Sequence, residues 1–253
     1  MSVIHSLIIV NRPPSALSGG GGDTILEVGP GIGVLTQALA ERGERVVAIE
    51  KDETMIEILK ETVKDFKNIE VINADILKID PADYKLANGK YKIVANIPYY
   101  LTSPLIRKFL EEKNRPTEII LMLQKEVAQR ICSTPPDMSL LSVSVQFYAE
   151  PKIISYVSKN CFWPAPKIDS AIIKIVPENK YSVPTDLFFK VVKAGFSQPR
   201  KQLAGNLSKT LEIEKKKTAE WLLKNGIEPK QRAETLSVSN WVTLSENFKD
   251  IGK

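Results

Sequence analysis

The sequence predicts an α/β chain in which a mostly parallel sheet is wrapped by helices and followed by a small all-helical segment. Three observations predict it. From Asp23 onward, short β-branched runs alternate with segments whose apolar residues recur at helical spacing, the pattern of βαβ units. A glycine-rich turn, Gly29-Pro30-Gly31-Ile32-Gly33, lies where the first such run passes into the first helical segment. Beyond Pro184 the strand signal stops and only helical spacing remains.

Taken in order, five strands are expected over Thr24–Val28, Arg45–Glu50, Ile69–Asn73, Tyr91–Asn96 and Thr117–Leu123. Between them, Val34–Glu41, Asp52–Lys64 and Leu105–Glu112 carry helical spacing, and Asp52 suits an N-cap because its carboxylate accepts first-turn N–H groups. Lys152–Val157 and Ser170–Val176 are expected to pair as an antiparallel addition, with the Pro164/Pro166 stretch as their loop. Pro177 to Pro184 reads as a linker, and helices follow over Asp186–Gly195, Lys201–Leu207, Glu214–Asn225 and Ser239–Phe248. Ahead of all these, Pro13-Pro14 and the run Ser18–Gly22 suit an irregular lead-in. The expected organisation is a lead-in over 1–22, a first domain over 23–180 and a helical domain over 181–253.

A chain of 253 residues with 43% hydrophobic and 26% charged residues buries a core without help from disulfides or metal. No apolar run approaches the ~20 residues of a membrane span, so no membrane partner is expected. Leu7–Val10 is short and lacks a basic flank, which argues against a signal peptide and for the cytoplasm. Cys132 and Cys161 form no CxxC pair and no His cluster exists, so neither a metal nor a disulfide framework is expected. The net charge is +5, and it is uneven: residues 181–253 hold 13 Lys+Arg against 8 Asp+Glu, whereas residues 1–180 hold 22 of each. A polyanionic partner is therefore permitted, and its contacts are expected near the C-terminal end.

The chemistry gathers at predicted strand ends. In Glu27-Val28-Gly29-Pro30-Gly31-Ile32-Gly33, glycines let the main chain approach a bound nucleotide closely. A dinucleotide fingerprint wants its third glycine at position 34, where Val34 stands, so the spacing favours S-adenosylmethionine over a nicotinamide cofactor. Glu50 ends the second strand, where a carboxylate accepts ribose hydroxyls, and Asp75 follows the third, where it accepts the adenine amino group. Each acid by itself reads better as a solvated loop charge, and it is the three loops sharing one edge that favour the cofactor. Asn96-Ile97-Pro98-Tyr99 follows the fourth strand and matches the Asn-x-Pro-aromatic turn of amino methyltransferases. An exocyclic adenine amine is a poor nucleophile because its lone pair is delocalised into the ring. Acceptors at the Asn96 side-chain oxygen and the Ile97 carbonyl favour the pyramidal amine, with Pro98 fixing the turn and Tyr99 stacking on the base. The sole histidine, His5, falls in the lead-in and is expected at the surface.

These motifs carry a resemblance. Asp23–Gly33, Asn73-Ala74-Asp75-Ile76-Leu77, Asn96–Pro104, Leu123–Ala128, Phe162–Ser170 and Phe196–Leu203 are similar to the ribosomal small-subunit RNA adenine dimethyltransferase family, the KsgA group, and the likeness runs from about Asp23 to the C-terminus. It implies a Rossmann-like S-adenosylmethionine-dependent methyltransferase sheet with a small C-terminal all-helical domain. It also implies dimethylation at N6 of two adjacent adenosines in a hairpin near the 3′ end of small-subunit rRNA, in an assembling ribosomal subunit and by a monomer. Carried over residue by residue, Ile76 joins Glu27, Gly29, Gly31, Gly33, Glu50, Asp75 and Asn96 at the cofactor, and Phe162 stacks on the adenine opposite Tyr99. Gln198, Arg200 and Lys201, with Lys190, Lys193 and Lys209, are carried over as rRNA contacts. Phe162 reads equally as a core aromatic, and the lysines as a solvated helix face.

One departure stands out. Family members open with a Gly-Gln-Asn/His-Phe-Leu segment and a helix that cover the cofactor, and nothing in Met1–Gly22 matches it, so weaker adenosylmethionine affinity is expected. Three alternatives stay open on sequence alone: a large-subunit rRNA adenine methyltransferase of the erythromycin-resistance type, a non-catalytic assembly factor, and a nicotinamide oxidoreductase on the same kind of sheet.

Overall fold

The computed structural model describes residues 22–163 and 166–251, excluding the side chains at 99, 249 and 250. The lead-in with His5, apart from Gly22, lies outside the described residues, as does the question of what covers the site from that side. Contacts divide the chain into two units, Met1–Ala128 with Ala149–Pro177, and Gln129–Tyr148 with Glu178–Lys253.

The first unit is a seven-stranded sheet. Its strands are β1 (Thr24–Val28), β2 (Arg45–Glu50), β3 (Ile69–Asn73), β4 (Tyr91–Asn96), β5 (Glu118–Gln124), β6 (Ala149–Val157) and β7 (Ser170–Pro177). They lie in the order β3-β2-β1-β4-β5-β7-β6, with β1 to β5 parallel and β7 antiparallel to both its neighbours. The central strands β1, β4 and β5 are apolar almost throughout and buried, as strands covered on both faces must be. Edge strand β6 instead alternates buried and exposed residues. Helices α1 (Val34–Ala40), α2 (Glu53–Thr62), α3 (Thr102–Glu111) and α4 (Lys125–Ile131) follow strands β1, β2, β4 and β5. Asp52 caps α2 as its sequence suggests, its carboxylate accepting from Thr54 N at 2.9 Å and Met55 N at 3.4 Å.

Away from the carboxyl ends of the parallel strands, Lys92 forms a largely buried ion cluster. Its Nζ lies 2.6 Å from Asp23 Oδ2 and 3.1 Å from Glu118 Oε1, and Lys174 also pairs with Glu118. Desolvation pulls the Lys92 ammonium towards the neutral form, but the Asp23 hydrogen bond and the Glu118 charge outweigh it and hold its pKa above the ordinary lysine value.

The second unit is helical, with α5 (Leu140–Tyr148), α6 (Thr185–Gly195), α7 (Leu203–Leu211), α8 (Lys215–Lys224) and α9 (Val238–Glu246). It corrects the expected 180/181 boundary, because residues 129–148 belong to it as well. The cause is aromatic packing: Phe147 stacks on Phe188 with ring centroids 4.0 Å apart and meets Tyr181 and Phe189. Met138 N also donates to Glu234 O at 2.9 Å. Close packing is tightest at Gly195, where an added Cβ would lie 2.3 Å from the fully buried Trp241 ring.

Lys92→Met leaves Asp23 without its ammonium partner and Glu118 with Lys174 alone. The unfolding free energy is expected to fall by about 3 kcal/mol, read from urea denaturation; a change within experimental error would contradict the structural role assigned to the cluster.

Candidate active site

The strand order reverses at β1, which has β2 on one side and β4 on the other, so the loops leaving β1 and β4 diverge and open a crevice at the carboxyl edge. Register fixes what lines it. Val28 is level with Ile49 of β2 and Ala95 of β4, so the next residues along these three strands, Gly29, Glu50 and Asn96, share one level. Glu50 is in turn level with Asn73, and Asp75 follows two residues later. Four loops predicted separately from sequence therefore converge.

The glycine turn is built for close approach. Gly29 and Gly31 have φ values of +66° and +56°, which side-chain-bearing residues rarely adopt, and a Cβ at either would meet nothing within 4 Å among the described residues. Gly33 has a different reason to be glycine: a Cβ there would lie 2.8 Å from Leu59 Cδ1 on α2. Gly29 N donates to Ile49 O at 3.0 Å, tying the turn to β2.

The acids differ sharply. Glu27 is 1% exposed; the Thr36 hydroxyl faces its carboxyl outside normal hydrogen-bond geometry, and no other group engages either oxygen among the described residues. Burial, reinforced by the Glu50 carboxylate and only partly offset by Thr36, pushes its pKa up to about 8. Glu50 is well satisfied instead: Oε1 accepts from Lys51 N at 2.8 Å and Asp52 N at 3.0 Å, and Oε2 from Gly31 N at 3.3 Å. A carboxylate has about four acceptor positions, so roughly one remains for a ligand hydroxyl. A second hydroxyl would have to displace the long Gly31 contact. Asp75 accepts from Leu77 N at 3.1 Å and pairs with Lys51 Nζ at 3.1 Å, and both lower its pKa, the Leu77 bond most. Ile76 is buried beside it.

Asn96 is exposed at the end of β4, and no hydrogen bond engages its side-chain amide among the described residues. Ile97 is buried, and the Pro98 carbonyl accepts from Leu101 N at 2.9 Å, closing a short turn over Tyr99–Leu101. The Tyr99 side chain is outside the described residues. Phe162 is half-buried and packs against the core cluster that includes Met122, Val157 and Ile172. Met122 is level with Asn96, so the anchor of Phe162 lies on the strands beside the Asn96 turn.

In the second unit, Gln198, Arg200, Lys201 and Lys209 line one cavity of about 620 Å³ together with Lys230 and Arg232. The last two were absent from the sequence expectation, because they lie about thirty residues along the chain and carry no motif. Lys190 and Lys193 do not line it: both are exposed on α6, and Lys190 Nζ sits 5.2 Å from the Phe248 ring centroid. Buried Asn206 pins the basic turn, donating to Gly195 O at 2.7 Å and Gln198 O at 2.9 Å. Among the described residues no group of three or more His, Cys, Asp or Glu could hold a metal, and no helix is long and apolar enough to cross a membrane.

Against known proteins, the model of the family described as ribosomal RNA adenine dimethylase matches residues 10–250, starting inside the lead-in and ahead of Asp23. The chain is 44% identical over 225 residues to the ribosomal RNA small subunit methyltransferase A of Dehalococcoides mccartyi, covering 88% of this chain and 77% of that one. Its fold is similar to that of a dimethyladenosine transferase from Plasmodium falciparum, with a TM-score of 0.82 and 25% identity over 99% of this chain and 96% of that one. The 23S rRNA methyltransferase ErmE is similar in fold alone, with a TM-score of 0.74 and 23% identity over 97% and 96% of the two chains. A sheet that opens at β1 beside a free Asn96 amide, and a sequence match spanning nearly its whole length, make this chain a member of the ribosomal RNA adenine dimethylase family.

Proposed function

We propose that this enzyme transfers methyl groups from S-adenosylmethionine to N6 of two adjacent adenosines in a hairpin near the 3′ end of small-subunit rRNA. In this reading it acts in the cytoplasm, as a monomer, on an assembling ribosomal subunit. One observation carries it: the register that sets Asn96 level with Gly29, so that an amide free to accept sits beside the open glycine turn. The small-subunit reading has its support in the 44% identity to a relative of that name, whereas likeness to the 23S enzyme is one of fold.

The residues fit a nucleoside-type group that carries positive charge. Gly29 and Gly31 leave room for it, Glu50 retains an acceptor for a hydroxyl, Asp75 and buried Ile76 flank the adjoining loop, and Glu27 is an orphaned carboxyl beneath. S-adenosylmethionine supplies a methyl group already activated on sulfur. The protein's share is then positioning. Asn96 Oδ1 and the Ile97 carbonyl accept the two N6 hydrogens and turn the nitrogen lone pair out of conjugation. Pro98 holds the bend, and Tyr99 and Phe162 are assigned the two faces of the base. As the nitrogen is alkylated its proton becomes acidic and leaves for solvent along those same acceptors. Gln198, Arg200, Lys201 and Lys209, now joined by Lys230 and Arg232, are assigned rRNA phosphates, with Lys190 and Lys193 as peripheral contacts.

The test is mass spectrometry of rRNA nucleosides after incubating the protein and S-adenosylmethionine with undermethylated small subunits. N6,N6-dimethyladenosine should accumulate, and Asn96→Ala should cut its formation by roughly 100-fold or more; no product from the wild-type protein overturns the reading. Lys201→Ala should weaken RNA binding and reduce the slope of log affinity against log salt by about 1. Glu27 makes a prediction of opposite sign to most carboxylates. With its pKa raised from 4.5 to about 8, the neutral form is favoured by the fold, so its contribution to stability is complete below pH 4.5 and is lost as pH rises through about 8. A cation seated nearby reverses that preference, so cofactor binding at pH 7 should release most of one proton. Calorimetry in buffers of different ionisation enthalpy reads the release, and Glu27→Gln should abolish it; equal enthalpies in all buffers for the wild type would contradict the assignment.

A further inference from the structure

We propose that Trp163 is a stacking platform for a purine nucleotide of the RNA strand next to the adenosine being modified, a binding position separate from the Asn96 turn. The proposal rests on the RNA-methylating reading above. Trp163 is 98% exposed, whereas the other two tryptophans, Trp221 and Trp241, are 4% and 0% exposed. Single exposed apolar side chains are common, so exposure by itself decides nothing. What matters is where the ring is held and how firmly.

Both follow from the sheet. β6 and β5 each pair antiparallel with β7, so β6 runs in the same direction as β5 and ends at the same edge. Asn96 is level with Met122, Met122 with Ile172 and Ile172 with Ser155, so one row runs from the Asn96 turn across the sheet to the end of β6. The loop leaving β6 therefore belongs to the proposed catalytic edge, about three strand spacings or ~15 Å from β4. Its first part, residues 158–162, is tied down. Ser158 Oγ accepts from Asn160 N at 3.3 Å, Lys159 N donates to Asp169 Oδ1 at 3.0 Å, and Phe162 N donates to Lys159 O at 3.2 Å. Phe162 packs on the core, and the very next side chain points into solvent. A tryptophan carried one residue past the anchored Phe162 has only two side-chain torsions to fix when a flat ring settles on it.

Its company suits nucleic acid. Tyr100, just past the Asn96 turn, is 81% exposed, and Tyr156 is 55% exposed with Lys125 Nζ 5.4 Å from its ring centroid. Lys159 and Lys167 are exposed on the same loop as Trp163. Aromatic faces interleaved with cations are how single-stranded RNA is held, each stacked base contributing a factor of about 5 to 100 in affinity. A target adenosine drawn out of its helix leaves its neighbour unstacked, and Trp163 offers that neighbour a surface.

Two measurements decide it. The solvent-exposed tryptophan emission, isolated as the difference between wild type and Trp163→Phe, should be quenched on titration with single-stranded oligoadenylate RNA. Trp163→Ala should raise KM for undermethylated small subunits by about 5-fold to 100-fold with kcat unchanged, and Trp163→Phe should restore most of the loss. Unaltered emission from Trp221 and Trp241 verifies folding of the Ala variant. An unquenched signal, or a KM within twofold of wild type while methyl transfer proceeds, overturns the platform. Absence of methyl transfer by the wild type instead overturns the function reading, and oligoadenylate quenching then decides the platform by itself.

Discussion

The parallel register that holds Val28 between Ile49 and Ala95 is the constraint on which the site depends. Side chains on a strand alternate between faces, so a slip of one residue in β1 would turn Glu27 to the opposite face and carry Gly29 out of level with Asn96. What prevents the slip is burial on both faces. Ile25, Leu26 and Val28 are all at most 2% exposed, and a slip would move each away from the neighbours that cover it. Placing chemistry just beyond such a strand lets loops with little core of their own inherit the precision of the sheet.

The same arrangement carries a cost at Glu27. A carboxyl buried without a partner is held neutral at physiological pH, and both its oxygens remain unsatisfied among the described residues. A stability-optimised chain would place a hydrophobic residue or a hydrogen-bonded amide here. Glu50, barely one strand away, shows the alternative, with three main-chain N–H groups around its carboxylate. Two acids on neighbouring strands thus differ through environment alone, one ringed by main-chain donors and one buried and neutral, which in the proposed reading leaves it able to take up charge beside a cation. A buried carboxyl left without a full set of partners is the kind of local conflict that folding alone does not favour and that binding can resolve.

Much of this was legible in the sequence where period and punctuation agree. All seven strands and the helices on either side of Glu50 follow from β-branched runs, helical spacing and the Asp52 cap, since those signals are local. Residues 125–148 were not legible. In α5, Leu141, Val143, Val145 and Phe147 alternate as in a strand, yet the segment is helical and packs through Phe147 on Phe188, forty-one residues away, a contact that no local pattern announces. That long-range contact also moves the unit boundary. At the site, residue types announced the four converging loops, but sequence could not separate Glu27 from Glu50, because burial is a property of the assembled sheet. Nor could it join Lys230 and Arg232 to the Gln198–Lys201 turn, which buried Asn206 fixes by bonds to main-chain oxygens rather than by any motif.

The division of charge has a consequence for how such an enzyme selects its substrate. Phosphates repeat identically along every strand, so in the proposed reading a cleft of Arg200, Lys201, Lys209, Lys230 and Arg232 would gain affinity and position from them but no knowledge of bases. The surplus of positive charge lies entirely in residues 181–253, and the segment that holds Glu27, Glu50 and Asn96 is balanced. In the proposed reading the Asn96 amide rewards only a base whose amino group can donate to it, and that hold weakens once methylation has removed those donors. Affinity generated by charge in one unit and discrimination generated by hydrogen-bond geometry in the other can then be tuned without interfering, since salt screens the first far more than the second.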